Sequence, residues 1–214
     1  MFTQLIHTPA GWLAAAWTQA GLAALTVPQD SREEALAWLA GQLPPRERQG
    51  KEKKRRQPDP ACTAGETPAE NHPEDCLPEN RLPEDCPALL ERALVNYFSG
   101  LSADFALPVD LFWCTPFQKK ILLAIRDIPC GEVRSYSQVA AAAGYPRAVR
   151  AAGSVAGLNR TPLVIPCHRV IRQNGGLGGF GGGLAMKKFL LALEAKIKEK
   201  QAENSPLHLF PARE

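Results

Sequence analysis

The chain has 214 residues, 45% of them apolar, which is enough for one large or two small hydrophobic cores. No run approaches the roughly 20 apolar residues that cross a bilayer, and Met1-Phe2-Thr3-Gln4 lacks the basic start of a secretory signal, so the expectation is a cytoplasmic protein, or a nuclear one in a eukaryote, with no membrane partner. The net charge of +3 conceals a split, because residues 1–110 carry 10 Lys and Arg against 16 Asp and Glu (net −6) while residues 111–201 carry 14 against 4 (net +10). A basic half of this kind suits a polyanion such as nucleic acid, with an ordinary solvated basic face as the plainer alternative.

The first elements read as a hairpin, with Phe2 to His7, Trp12 to Trp17 and Leu22 to Val27 separated by turns at Thr8-Pro9-Ala10-Gly11 and Thr18-Gln19-Ala20-Gly21. Ser31-Arg32-Glu33-Glu34 has capping-box spacing, and Ala35, Leu36, Trp38 and Leu39 give a short helix its apolar face. Residues 43–87 differ: a basic cluster at Lys51 to Arg56, many prolines, and Pro-Glu-Asp-Cys at 73–76 and again at 83–86. This composition predicts a disordered insertion, and its Cys62, Cys76, Cys86 and His72 lack the paired-Cys spacing of zinc ribbons and fingers, so no metal is expected. Helical spacing returns at Ala88 to Phe98, closed by Gly100, and an extended stretch through Val109-Asp110-Leu111 leads to the second half.

Thr115-Pro116-Phe117-Gln118 combines an N-cap, a proline at the first helical position and a glutamine three residues on, predicting a helix over about 116–127. Beyond Pro129-Cys130-Gly131-Glu132, Ser135 or Ser137 caps a short alanine-rich helix ended by Gly144, and a second small helix is expected from Arg147 to Ala156. Two short helices across a tight turn containing glycine read as a helix-turn-helix, the second carrying Arg147 and Arg150. Seven of the nine residues from 175 to 183 are glycine, either a flexible connector or a backbone free to approach a flat ligand, and no Gly-Lys-Ser/Thr follows as a P-loop would need. Leu184 to about Lys200 forms a final amphipathic helix, with a tail from 202 to 214.

Six cysteines in a chain without an export signal read as reduced thiols. Cys167 is set apart by its neighbours in Ile165-Pro166-Cys167-His168-Arg169-Val170, where an adjacent His and Arg favour a thiolate. From spacing alone, an inert buried cysteine beside a structural histidine remains open.

That hexapeptide resembles the active-site signature of the O6-alkylguanine-DNA alkyltransferases, also called methylated-DNA-protein-cysteine methyltransferases. The likeness continues through Thr115-Pro116-Phe117-Gln118, Ile128-Pro129, Gly131-Glu132-Val133, Ser135-Tyr136, Gln138-Val139-Ala140, Arg150-Ala151, Asn159, Gly182-Gly183-Leu184, Leu190-Leu191 and Glu194, covering essentially all of 111–198 in order and spacing. The resemblance implies a small N-terminal ribonuclease-H-like α/β domain (1–42 and 88–110) and a C-terminal winged helix-turn-helix-like alkyltransferase domain (111–201).

It also implies the chemistry: Cys167 accepts the alkyl group from O6 of guanine, or O4 of thymine, in double-stranded DNA, and is consumed in one turnover. His168 acts through water as a base oriented by Glu194. Tyr136 supplies a proton to the departing base, and Pro166, Val170, Phe180 and Gly181 form the pocket. Phe180 stands where the family commonly has tyrosine, which removes a hydroxyl. Arg150 fills the gap left by the flipped base, with Arg147, Ser135, Ala151 and Asn159 also on the DNA-binding side, Asn159 as the residue that braces the DNA-binding helix against the active-site loop. No cofactor or obligate protein partner is implied, and a monomer is expected. A lesion-binding relative without transfer lacks the acceptor cysteine, a helix-turn-helix regulator leaves the Pro-Cys-His-Arg block unexplained, and a cysteine hydrolase needs an acyl site.

Overall fold

A computed structural model of the chain describes residues 1–43 and 85–203. Most of the expected insertion, with Cys62, His72 and Cys76, and most of the expected tail therefore lie outside the described residues. The insertion's C-terminal limit needs correction, because Cys86 and Pro87 open a helix and Cys86 is buried.

Strands β1 (Phe2–Thr8), β2 (Gly11–Thr18) and β3 (Gly21–Leu25) form an antiparallel sheet in sequential order, with a register shift at Ala16/Trp17. Gly11 and Gly21 make the turns possible: both have positive φ, and a Cβ at either would lie 2.5 Å from a backbone oxygen, of Gln29 and Pro108 respectively. The expected extended stretch is reduced to one parallel bridge between Val109 and Leu22. Helix α1 (Arg32–Gln42) starts at Ser31, whose Oγ accepts from Glu34 N at 3.2 Å; the reciprocal half of the expected capping box is not formed. Helix α2 (Cys86–Phe98) places Leu90, Leu94, Tyr97 and Phe98 against the sheet.

In the second half, α3 (Pro116–Arg126) begins with a complete capping box between Thr115 and Gln118. Ser135 and Gln138 form another at the start of α4 (Tyr136–Ala142), with Ser135 in the short strand β4 (Arg134–Ser135). Gly144, at φ 86°, ends α4. Helix α5 (Val149–Gly157) begins two residues later than the sequence suggests, so Arg147 lies in the preceding turn and not on the helix. Ala148 caps α5 without a side-chain hydrogen bond, which leaves the start unmarked in sequence. A single 3₁₀ turn (Cys167–Arg169) leads into β5 (Val170–Ile171), which pairs parallel with β4, and α6 (Gly183–Glu203) closes the described chain.

Two larger cores result. One gathers Ile121, Leu122, Ile125, Val139, Ala152, Val155, Ile165 and Val170 beneath the helix-turn-helix. The other joins the sheet and α2 to Leu163, Val164, Leu190 and Ile197, so the segment leading to Cys167 is packed against the N-terminal half. At about 1.5–3 kcal/mol for each fully buried large aliphatic side chain, this shared core firmly fixes the approach to the cysteine. No helix among the described residues is long and apolar enough to cross a membrane.

Candidate active site

The cysteine is presented by an unusual piece of backbone. Leu163 adopts φ 74°, the only non-glycine residue with positive φ among those described, and its side chain is buried. A left-handed leucine is costly by about 1–3 kcal/mol and persists only where packing enforces it. Pro166 follows, also buried, and Cys167 emerges half-buried at the head of the 3₁₀ turn.

Asn159, just beyond α5, ties that turn to the helix-turn-helix. Its Nδ2 donates to Ile165 O at 2.7 Å and to Cys167 Sγ at 3.1 Å, while Oδ1 accepts from Thr161 N and Thr161 Oγ1. Asn159 therefore works at the cysteine through its side chain.

Behind the thiol, Glu194 of α6 is fully buried and saturated with donors. Its Oε1 is 2.6 Å from His168 Nε2, and the same oxygen accepts from Tyr97 OH at 2.8 Å and Arg169 Nη2 at 2.9 Å. Oε2 accepts from Arg169 Nε at 2.8 Å and Gly131 N at 3.2 Å. Burial alone would raise the carboxyl's pKa, but the hydrogen bonds and charges of His168 and Arg169 prevail and hold it at about 2. An ionised carboxylate only accepts, so Nε2 carries the imidazole proton and Nδ1 keeps a bare lone pair. Nδ1 is buried and has no hydrogen-bond partner among the described residues. Burial lowers the His168 pKa, against the pull of Glu194, so the ring is neutral.

In the fold, the adjacent His and Arg that favour a thiolate in the sequence are not what acts on the Cys167 thiol. Burial raises the Cys167 pKa, and the opposing influences are the Asn159 hydrogen bond, Lys187 and the backbone, not the adjacent His and Arg. His168 is neutral, and Arg169 is turned away to Glu194 and to Ile128 O. Burial therefore favours the thiol form of Cys167.

Tyr136, first residue of α4, lies close enough to Cys167 for a thiolate there to raise its own pKa, with burial the larger cause. A Cβ at Gly178 would lie 2.9 Å from the Tyr136 hydroxyl, and Gly178 has φ 69°. One at Gly182 would lie 2.9 Å from Phe180 Cε1. Two glycines of the run are thus demanded by packing, whereas Gly179 and Gly181 face open space. Phe180 packs edge-on to His168, with ring centroids 6.2 Å apart.

Val170 is fully buried in the second core, so its side chain lines no open pocket; its carbonyl accepts from Lys187 Nζ at 2.6 Å. Ser135 spends its hydroxyl on capping α4 and on Ser137. Arg147, Arg150 and Ala151 are exposed around the start of α5 and are not drawn into the cysteine cluster. Sequence reasoning missed Tyr97 and Lys187. Lys187 is fully buried and bridges Val170 O and Leu177 O, joining β5 to the glycine-rich loop, yet in Ala185-Met186-Lys187-Lys188 nothing distinguishes it from a solvated lysine.

A half-buried thiol backed by a neutral imidazole on an ionised carboxylate, at the root of a helix-turn-helix, is the arrangement the fold builds around Cys167. Residues 116–196 match the family described as 6-O-methylguanine DNA methyltransferase, DNA binding domain. The chain belongs to the methylated-DNA–protein-cysteine methyltransferase family. It is 43% identical over 126 residues to the constitutive enzyme of that name from Bacillus subtilis, covering 57% of this chain and 76% of that protein. It is 44% identical over 111 residues to the Salmonella typhimurium methyltransferase, covering 52% of this chain but only 65% of the relative, so it spans less than two thirds of that protein. The fold is similar to that of Mycobacterium tuberculosis OGT in complex with DNA, with TM-score 0.60 and 29% identity, covering 91% of this chain and 93% of that one.

Proposed function

We propose that this protein repairs DNA by taking a methyl or larger alkyl group from O6 of guanine in a duplex onto Cys167, once per molecule. O4 of thymine, a similarly alkylated exocyclic oxygen, is the second candidate substrate. The observation that carries the reading is the pairing of a protonated thiol with a neutral imidazole whose Nε2–H is committed to Glu194 and whose Nδ1 is bare.

In the reaction, Sγ attacks the alkyl carbon in line with the C–O6 bond. The S–C bond forms as C–O6 breaks, the thiol proton passes through one water to His168 Nδ1, and the bonding pair leaves with guanine. The base accepts a proton at the ring from Tyr136 and departs neutral. A thioether is a poor leaving group, so nothing restores the thiol.

The target atom is inside the duplex, and the exposed Arg150 at the start of α5 fills the space of a rotated nucleotide, with Arg147 and Ala151 beside it on the minor-groove side. The three-stranded sheet with α1 and α2 constitutes the ribonuclease-H-like domain, and residues 111–201 the alkyltransferase domain. The protein acts as a monomer, and its affinity for DNA falls with salt because backbone contacts dominate binding at an arbitrary sequence.

The decisive experiment incubates the protein with duplex DNA bearing O6-methylguanine and weighs the tryptic peptide containing Cys167. A gain of one CH2 unit, stoichiometric with protein, is expected. Transfer that persists in Cys167→Ala, or DNA binding by the intact protein with no transfer, overturns the proposal.

A further inference from the structure

We propose that Tyr97, contributed by α2 of the N-terminal half, is a positioning residue for alkyl transfer: its hydroxyl sets how strongly Glu194 holds His168. The inference rests on the alkyl-transfer reading above and extends the machinery to a residue 97 positions from Glu194 in sequence.

Tyr97 is fully buried, and its OH donates to Glu194 Oε1 at 2.8 Å, the same oxygen that receives His168 Nε2. Its ring is held by Phe98, with centroids 5.1 Å apart, and by Phe105, at 5.5 Å. These contacts leave the hydroxyl little freedom to turn away from the carboxylate. Arg169 satisfies both carboxylate oxygens and Gly131 N supplies one more bond, so the charge of Glu194 is balanced without Tyr97. A buried hydroxyl placed on the one oxygen that faces the base has a different consequence. It withdraws electron density from that oxygen, weakens its pull on the Nε2 proton, and keeps His168 less basic.

Other charged or titratable groups face this cluster. They are Arg169 and Cys167 in the 3₁₀ turn, Lys187 of α6, and Cys130 in the loop after α3, whose Sγ lies 3.9 Å from Glu194 O. Arg169 and Lys187 both lower the pKa of His168. Burial raises the Cys130 thiol to about 11, so it is neutral wherever His168 titrates. Removing the Tyr97 hydroxyl shifts the balance in one direction only. Glu194 binds His168 more tightly, the imidazole becomes more basic, and the acid limb of the transfer rate moves to higher pH.

The test uses the full chain and two readouts. The first is the pH profile of single-turnover transfer from free O6-alkylguanine. The second is the His168 imidazole titration by NMR, which needs no activity. Tyr97→Phe keeps the ring and should move both midpoints upward by about half a pH unit or more. A more acidic fluorinated tyrosine at 97 should move both downward. Phe105→Leu disturbs the same packing without touching the hydroxyl, and should lower stability while leaving both midpoints in place. Midpoints unchanged in Tyr97→Phe, or moved equally by Phe105→Leu, overturn the proposal. If the parent protein transfers no alkyl group, the function proposed above fails, while the NMR titration still decides the role of Tyr97.

Discussion

Replacing Glu194 by glutamine tests the centre of the arrangement, because the carboxylate accepts from four residues and offers none of them a donor. The substituted amide would present one oxygen and one NH2 to a ring of donors. Arg169, only 5% exposed, would lose the negative charge that neutralises it. Breaking a buried pair by removing one partner typically costs about 3–5 kcal/mol. The depressed pKa of the carboxyl leads to a similar figure. The carboxyl has a reference pKa of 4.5 and is held at about 2 here. At about 1.4 kcal/mol per pH unit, that depression is worth about 3 kcal/mol of folding stability. Because the folded value is the lower one, the stabilisation is complete above pH 4.5 and is lost as pH falls toward 2.

The kinetic consequence follows from the tautomer. An amide NH2 facing Nε2 drives the imidazole proton to Nδ1, which removes the lone pair that receives the thiol proton. Loss of a general base lowers rates by about 10²–10⁴-fold. Urea unfolding at neutral pH should therefore show Glu194→Gln less stable by about 3–5 kcal/mol. It should also lack the parent's loss of stability between pH 4.5 and 2, and the surviving folded protein should transfer methyl groups slowly. A variant as stable and as fast as the parent would refute both the charge argument and the tautomer argument.

Arg150→Ala should slow transfer from duplex DNA by up to ~10²-fold, the scale of a few kcal/mol for unstacking, while leaving the reaction with free alkylated base unchanged; equal losses on both substrates would remove Arg150 from the base-flipping step. Gly178→Ala imposes φ 69° on a side-chain-bearing residue and drives its Cβ to 2.9 Å from the Tyr136 hydroxyl. It should cost about 1–3 kcal/mol in urea unfolding and slow transfer with DNA affinity intact, and a full-speed, fully stable variant would show that the glycine does not position Tyr136.

What was legible in the sequence was local. The Thr115–Gln118 and Ser135–Gln138 boxes close within four residues, and Gly144 ends α4 because glycine takes the positive φ readily, so each needs no distant partner. The illegible features depend on what distant segments supply. The buried face of α6 is Lys187, Leu190, Glu194 and Ile197, and no rule of apolar periodicity assigns the two charges inward. Lys187 is tolerated because two carbonyls from earlier in the chain receive its ammonium, and Glu194 because Arg169, His168 and Tyr97 converge on it. Glu194 is identified in sequence only through resemblance to a family, and Tyr97 looks there like one more core aromatic.

The protonation of Cys167 shows the same limit with a chemical consequence. Adjacent His and Arg suggest a thiolate when the sequence is taken as a string of neighbours, but folding points Arg169 at Glu194 and leaves His168 uncharged. Burial then favours the uncharged form of the thiol as it does of the imidazole. A thiol is a weak nucleophile and a poor target for oxidants, since the thiolate is the reactive species in both roles. If Cys167 is the acceptor consumed by the proposed reaction, that is the appropriate resting state. Under the proposed mechanism, reactivity is withheld until an alkyl carbon lies in line with Sγ, when bond formation to sulfur and proton transfer to His168 Nδ1 proceed together. In that mechanism the Glu194 network contributes by keeping that nitrogen unprotonated and correctly oriented, and not by charging the cysteine in advance.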